Sequence, residues 1–563
     1  MKVYEFGPFR LDPGERQLRR GGTPLPLTPK AFDTLAVLVG NPGRAIGKDE
    51  LMDRVWAGTN VADATLAQNI FALRKALGGS HWIETVPKFG YRFVPAVREV
   101  PEPPARTVIA VLPFTDLSSD GDRAYFADGL AGEMITQLGR LNPERLRVIA
   151  RSSSMRYRDT PKTAGEIGRE LGVSFVFEGA VRVAGARVRV DVQLVETAGQ
   201  TQVWAESYDR AFEDILLLQR DLSHAIAREI KVTLMPQAAA PGRPSVSREA
   251  HEAYLKGRYF WNKRTEESMR KGIALFEEAI ARDPGYAPAY DGLSDSYVML
   301  ACRGVLPARE TFEKARAAAE TALRLDGTLG EAHATRAHVR LHELDWDGLD
   351  EEFQRALALN PSHTFTYYWY GEYLMAVGRT DESVAMVARA REMDPLSGAV
   401  SSSLAMILYL ARRYEESMAC LRAFLELEAD HFLVHLRLGL VSIQMGAHQR
   451  AIEEMQRAVT LSGRATEALA GLAQAFAAAG LRREMQQVIA ELQAEALQRY
   501  VAPYNMAKVH TAAADADAAF ACLEAAFEER YPDLIELRSD PLFDSIRPDP
   551  RYPALLRRVG WPD

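Results

Sequence analysis

Between Asp63 and Gly78 the apolar residues Leu66, Ile70, Leu73 and Leu77 recur at i, i+4, i+7 and i+11, the single stripe of an amphipathic helix. Gln68 and Lys75 fall on the opposite face, with Thr65 and Asn69 on one flank and Arg74 on the other. Ile83 to Val94 then alternates as two short strands around Lys88-Phe89-Gly90, which predicts a hairpin carrying Lys88 and Arg92. Upstream, Thr28-Pro29 reads as an N-cap followed by proline in the first turn of a helix that turns Phe32, Leu35, Leu38 and Val39 inward. Gly40-Asn-Pro-Gly43 stops that helix. A second short helix runs from Asp49 to Trp56, with Leu51 and Val55 one turn apart. Residues 2–27 alternate as short strands broken by Gly7-Pro8, Pro13-Gly14 and Gly21-Gly22. A helix with one buried stripe and a polar outer face, followed by a basic hairpin, is what groove readout with phosphate clamping requires.

From about residue 247 the pattern becomes periodic. Small residues sit at Ser294, Ala337, Gly371, Ala405, Gly439, Ala473 and Ala507, at an interval of 43 and then 34 five times. A second register, Ala279, Ala322, Ala356, Ala390, Phe424, Ala458, Leu492 and Ala526, keeps the same intervals, and Asp283-Pro284, Asn360-Pro361 and Asp394-Pro395 fall in phase as helix ends. The period predicts stacked helix–turn–helix units with small residues where helices touch. The long interval predicts an insertion of about nine residues in the Arg303-to-Thr311 loop, and Leu534 to Arg558 reads as a terminal cap.

Residues 106–235 predict a strand at Val108–Phe114, a helix at Tyr125–Leu138, a strand at Leu146–Ala150 and a helix at Thr163–Leu171. Strands follow at 175–183, 188–196 and 202–208, then a helix from Ile215 to Val232. A hairpin at Ala184-Gly185 makes the sheet mixed and the segment α/β. Two proline-containing stretches, 99–105 and 236–246, read as linkers. The expected fold is therefore multidomain: an α+β segment over 1–98, an α/β mixed-sheet domain over 106–235, and an all-α solenoid with its cap over 247–563.

Charge sharpens this division. Residues 1–98 hold 14 Lys and Arg against 9 Asp and Glu, whereas the whole chain is formally −8. A basic end on an acidic body is the asymmetry of a chain that meets nucleic acid at one end. Cys302, Cys420 and Cys522 are widely spaced and show no CxxC pair, so they read as reduced packing residues. No apolar run approaches the roughly 18 residues of a membrane span, and the N-terminus lacks a signal-peptide core. A cytoplasmic location without a membrane partner is expected.

The Leu73-Arg-Lys-Ala-Leu77 and Gly90-Tyr-Arg-Phe93 segments, within this order of elements, resemble the OmpR/PhoB-type winged helix over residues 1–97. The resemblance implies phosphate or base contacts at Trp56, Asn69, Arg74, Thr85 and Tyr91. Positions usually occupied by arginine in the family are Ala64, Phe71, Ala72 and Pro87 here, which thins the cationic face. The 34-residue units resemble the tetratricopeptide repeat, with Phe276, Tyr297 and Phe353 at the large positions. Such arrays bind peptides or protein segments. The middle segment, with Pro113-Phe114 and Phe126-Ala-Asp-Gly129, resembles the TolB-like domain, which implies no agreed chemistry.

No catalytic constellation emerges. Gly43-Arg-Ala-Ile-Gly47-Lys48-Asp49 lacks the spacing and the Ser/Thr of a phosphate loop. His338 and His342 lie i, i+4, with His333 a turn and a half earlier. Without a third ligand at fitting spacing they read as an exposed repeat face, not a metal site. Ser152-Ser-Ser154 with Arg151 and Arg156 could hold an anion, although a polar strand-to-helix loop is the simpler reading. No cofactor is implied.

The expected function is transcriptional regulation through double-stranded DNA, by a one-component chain whose repeats sense or recruit a protein or peptide partner. Thr65, Gln68 and Asn69 are the expected base readers; Trp56, Arg74, Lys75, Thr85, Lys88, Tyr91 and Arg92 would engage the backbone. A small molecule bound in 106–235 is compatible with this. The competing reading is a cytoplasmic signalling scaffold or enzyme-associated regulator acting through protein contacts. The oligomeric state stays open, a dimer on DNA being one arrangement.

Overall fold

A computed structural model of the chain describes residues 2–562 apart from 14–15, 21–22, 26, 57–62, 102–105, 119–123, 144, 186, 212–214, 231–246, 304 and 499. Two compact units result, Met1–Arg106 and Thr107–Asp563.

In the first unit, strands β1 (Lys2–Phe6), β2 (Phe9–Asp12), β3 (Gln17–Arg20) and β4 (Thr23–Leu25) form an antiparallel meander. Helix α1 (Pro29–Val39) starts at Thr28, whose side chain accepts from Ala31 N–H, as the Thr-Pro pair predicts. Then come β5 (Ala45–Gly47), α2 (Lys48–Val55), α3 (Asp63–Ala76), β6 (Ile83–Val86) and β7 (Gly90–Phe93), with a second sheet in the order β5-β7-β6. Leu66, Ile70, Leu73 and Leu77 are fully buried and pack with Phe32, Leu35 and Leu38 of α1. One boundary differs from expectation. Residues 99–101 of the expected linker belong instead to strand β8 (Arg98–Pro101), paired with β1 and completing the order β4-β3-β2-β1-β8, and its residues 102–105 lie outside the described residues. The backbone groups of β1 would otherwise line an open edge there.

The second unit begins with a mixed sheet. Strands β9 (Thr107–Val111), β11 (Leu146–Val148) and β12 (Phe175–Ala184) run parallel, and short β10 (Thr115–Asp116) also pairs with β12. Antiparallel β13 (Arg187–Glu196) and β14 (Thr201–Ala211) complete the order β11-β9-β12-β13-β14. Helices α4 (Ala124–Leu141) and α7 (Ile215–Glu229) share one apolar core with this sheet. Ile167 and Leu171 of α6 (Ala164–Leu171) join a separate cluster with Ala110, Val176 and Tyr157. Between β11 and α6 the expected polar loop is instead the short helix α5 (Arg151–Ser154) and a 3-10 turn.

The remainder is an all-helical array of antiparallel pairs. These are α8 (Arg248–Asn262) with α9 (Glu266–Arg282), α10 (Ala287–Cys302) with α11 (Ala308–Leu325), α12 (Gly330–His342) with α13 (Leu349–Leu359), and α14 (Thr364–Ala376) with α15 (Thr380–Met393). Then follow α16 (Gly398–Leu410) with α17 (Tyr414–Leu425), α18 (Phe432–Gln444) with α19 (His448–Leu461), α20 (Thr466–Ala478) with α21 (Arg482–Glu495), and α22 (Pro503–Ala512) with α23 (Ala516–Glu528). Every residue of both small-residue registers is buried, the first set on the leading helix of each pair and the second on the trailing one. The extra length lies elsewhere than expected. Helices α10 and α11 have 16 and 18 residues against 13 and 11 in α12 and α13, so the insertion lengthens helices and Ala308–Thr311 is helical.

The sheet and the array are continuous. Leu255 of α8 belongs to the core of the sheet, and a Cβ on Gly129 of α4 would lie 2.7 Å from it. Arg140 pairs with Glu331 at 2.8 Å. The expected boundary at 236–246 lies outside the described residues.

The C-terminal segment does more than cap the last pair. Its 3-10 turns, Pro532–Glu536 and Pro541–Ile546, precede α24 (Arg551–Val559) and reach back to the middle of the array. His342 Nδ1 donates to the Pro532 carbonyl at 3.2 Å, and Trp346 Nε1 donates to the Val559 carbonyl at 3.0 Å. Lys508 of α22 holds Asp540 at 3.1 Å.

Candidate nucleic-acid interface

Burial of the α3 stripe fixes the opposite surface. Gln68, Ala72 and Lys75 are exposed and Phe71 is 70% exposed in their midst, whereas Thr65, Asn69 and Arg74 are half-buried at the flanks. Residues 68, 71, 72 and 75 follow i, i+3, i+4, i+7 spacing and so share one face. An exposed phenyl ring at its centre is what sequence reasoning missed, because position 71 registered there only as an absent arginine.

The hairpin stands beside this helix. Val86 to Phe89 make a turn in which Phe89 N–H donates to the Val86 carbonyl at 3.1 Å, and Lys88 adopts φ 61°. Lys88 and Phe89 are exposed at its tip. Gly90 is required at the crossing with β5, since a Cβ there would stand 1.9 Å from the Ile46 carbonyl oxygen. Arg74 braces the hairpin to α3: its guanidinium donates to the Ile83 carbonyl at 3.0 and 2.6 Å and to Thr85 Oγ1 at 2.8 Å. Arg92 pairs with Glu84 at 3.3 Å.

The ten sequence-predicted residues thus divide by position. Gln68, Lys75, Thr85 and Lys88 are exposed; Thr65, Asn69, Arg74 and Arg92 are half-buried; Trp56 and Tyr91 are only 7% and 8% exposed and join the core. The Lys30 ammonium lies 5.8 Å from the centre of the Trp56 ring.

The second unit holds a different kind of site. A cavity of about 650 Å³ lies between α4, α5 and the repeat helices, not inside the 106–235 segment alone. Arg151, Arg258 and Arg264 line it together with Asp291, Asp295 and Glu331. The Arg264 guanidinium lies 3.6 Å from the Trp261 ring centre and 4.8 Å from that of Phe365. Burial lowers the pKa of Arg264 to about 9 and that of Arg151 to about 10. Burial also pushes the Asp291 carboxyl well up, with Asp295 and Glu331 adding repulsion.

Two polar clusters differ from their sequence reading. Ser152 and Ser153 do bind an anion, but it is the chain's own Asp394 carboxylate at the end of α15. His338 and His342 are not on an exposed face: each is 4% exposed, and burial holds both rings neutral with pKa values of about 3. His333 turns away to Glu352, at 2.6 Å.

The chain resembles known proteins in the following respects. Residues 22–93 match the family model for the transcriptional regulatory protein C-terminal domain. Residues 105–225 match the second domain of HilA/YgeH-like transcriptional regulators. A putative adenylate cyclase 3 of Rhizobium meliloti is 32% identical over 258 residues, 45% of this chain and 43% of that protein, so the match spans less than half of that relative. The transcriptional regulator HilA of Salmonella typhi is 23% identical over 80% of this chain and 81% of its own length. The solved DNA-binding domain of Escherichia coli CadC is 31% identical, covering 18% of this chain and 98% of that domain, with a TM-score of 0.17. The N-terminal unit therefore carries an OmpR/PhoB-type DNA-binding domain, in a chain whose homologues include transcriptional regulators along most of its length.

Proposed function

We propose that this chain is a cytoplasmic, one-component transcriptional regulator that reads double-stranded DNA with α3 and clamps the backbone with the β6–β7 hairpin. The observation that carries the reading is the solvent-facing surface of α3, with Gln68, Phe71 and Lys75 beside the projecting Lys88, on a domain of DNA-binding type. Gln68, Asn69 and Thr65 read base edges, while Lys75, Lys88, Thr85 and Arg92 meet phosphates. Arg74 acts chiefly by holding the hairpin against the helix. Trp56 and Tyr91 support the same surface from the core. The second unit receives the signal: its repeats take a protein or peptide partner, and the cavity suits a small ligand bearing both an anionic and a cationic group. The chain itself is not an enzyme in this reading. Among the described residues no helix is long and apolar enough to cross a membrane.

The test is binding of the full chain to duplex DNA across a salt series. The three cationic phosphate contacts, Lys75, Lys88 and Arg92, give a log–log slope of about −3. A flat response removes the DNA reading and favours the alternative, a signalling scaffold of the kind suggested by partial identity with a cyclase-named relative.

A further inference from the structure

We propose that Cys302, His338 and His342 form a binding site for one divalent transition-metal ion of the zinc class. Their donor atoms, Cys302 Sγ, His338 Nε2 and His342 Nε2, all lie within 4.8 Å of one another, although the sequence separates them by a whole repeat. Cys302 ends α10 while both histidines sit one turn apart on α12, so the stacking of two leading helices assembles the set.

The geometry comes within about 0.5 Å of what a tetrahedral ion needs. Zinc bonds of about 2.3 Å to sulfur and about 2.0–2.1 Å to nitrogen imply ligand separations of roughly 3.6 Å for S···N and 3.4 Å for N···N. The Cys302 Sγ to His342 Nε2 distance is 3.8 Å, and the two Nε2 atoms are 2.9 Å apart. Glu372 stands beside the set, its Oε2 3.2 Å from His338 Nε2, but it is not one of the three mutually close donors.

The rings are also held ready. His338 stacks on Trp369 at 4.4 Å and 10°, and His342 on Phe312 at 5.4 Å and 12°. His342 Nδ1 donates to the Pro532 carbonyl, the outer-shell bond that leaves the Nε2 lone pair facing the cluster. Without a metal, that one lone pair faces two donors, the Cys302 thiol and the His338 N–H. A cation is bound by all three groups once the thiol proton is released to solvent and the His338 proton shifts from Nε2 to Nδ1, a nitrogen that has no other partner among the described residues.

The experiment titrates the chelator-stripped, reduced full chain with Co²⁺. Expected is saturation at one equivalent, with a thiolate-to-cobalt band in the near ultraviolet and visible bands of a tetrahedral ion, displaced by Zn²⁺. Cys302→Ser should abolish the near-ultraviolet band while Cys420→Ser keeps it. His342→Gln should weaken binding by more than the roughly 10–100-fold lost with an outer-shell partner. A near-ultraviolet band that survives Cys302→Ser, or none in the parent, overturns the proposal. Should Cys302→Ser fail to fold, X-ray absorption on the unaltered zinc-loaded chain decides. One sulfur near about 2.3 Å with nitrogens near about 2.0–2.1 Å is required, and a shell lacking sulfur overturns the site.

Discussion

Ser153 donates to Asp394 twice, from its backbone N–H at 3.0 Å and from Oγ at 2.6 Å, across 241 residues of sequence. The same Oγ accepts from Leu396 N–H at 2.8 Å, and Ala150 N–H donates to the Met393 carbonyl at 2.8 Å. Helix α5 is thereby stitched to the corner between α15 and α16. Asp394→Ala leaves buried donors unpaired and should lower stability by about 1–3 kcal/mol. Chemical denaturation of the full chain checks this; an unchanged midpoint would show that the stitch is dispensable.

Glu331 gives the second unit an acid-sensitive link. Burial pushes its carboxyl up, but Arg140, His363 and Asn360 outweigh that and hold its pKa at about 2. The folded value lies below the unfolded one of about 4.3, so the stabilisation is present above pH ~4.3 and is lost as pH falls toward ~2. It amounts to on the order of 3 kcal/mol. Glu331→Gln should flatten the dependence of the urea midpoint over that window relative to the parent chain. Equal slopes would place the sensitivity elsewhere.

Gly371 and Gly439 occupy equivalent positions but are expected to differ. A Cβ at Gly371 would lie 2.3 Å from Val387 Cγ2, on a stiff β-branched side chain, whereas at Gly439 the nearest atom is the mobile Met455 Cε at 2.6 Å. Gly371→Ala should cost about 1–3 kcal/mol through overpacking. Gly439→Ala should cost less, since Met455 can swing aside and alanine adds up to about 1 kcal/mol of helix propensity. Parallel denaturation curves with equal midpoints would contradict this ranking.

Strand β8 moves the boundary of the first unit. A fragment ending at Val97 loses the β1–β8 pairing and the Arg98–Glu5 contact at 2.5 Å. Each lost hydrogen bond is worth about 0.5–1.5 kcal/mol. A fragment ending at Arg106 should therefore melt at a clearly higher temperature. Identical melting curves would make β8 an ornament.

On DNA, Gln68→Ala and Asn69→Ala should each relax base preference by about 1–3 kcal/mol, while Lys88→Ala should weaken all sequences alike. Gel shifts on selected and random duplexes separate these effects. If Lys88→Ala changes preference and the helix variants do not, the reading surface has been misplaced.

The features legible in the sequence are those with a local period. Leu66, Ile70, Leu73 and Leu77 declare their buried face within a few turns, and the two small-residue registers declare the helix pairs because every unit repeats the same packing. Contacts whose partners belong to different units carry no such signal. Cys302 meets His342 only through the stacking of α10 on α12, and Ser153 meets Asp394 only once the sheet docks on the array. Arg74 reads as a cation on a helix flank; its commitment to the Ile83 carbonyl depends on where the hairpin folds. The long repeat interval fixed the amount of extra chain, but helix propensity in Ala308–Leu325 decided that it would be helical.

The return of Pro532–Glu536 to α12 changes how the array can come apart. A row of helix pairs linked only to nearest neighbours frays from its ends, each lost unit leaving the rest intact. Here the distal end is fastened to the middle, through Pro532 on His342 and Val559 on Trp346, so the stretch from α12 to α24 closes into a ring rather than ending as a rod. No pair within that ring is terminal, and none can peel away until the fastening itself lets go.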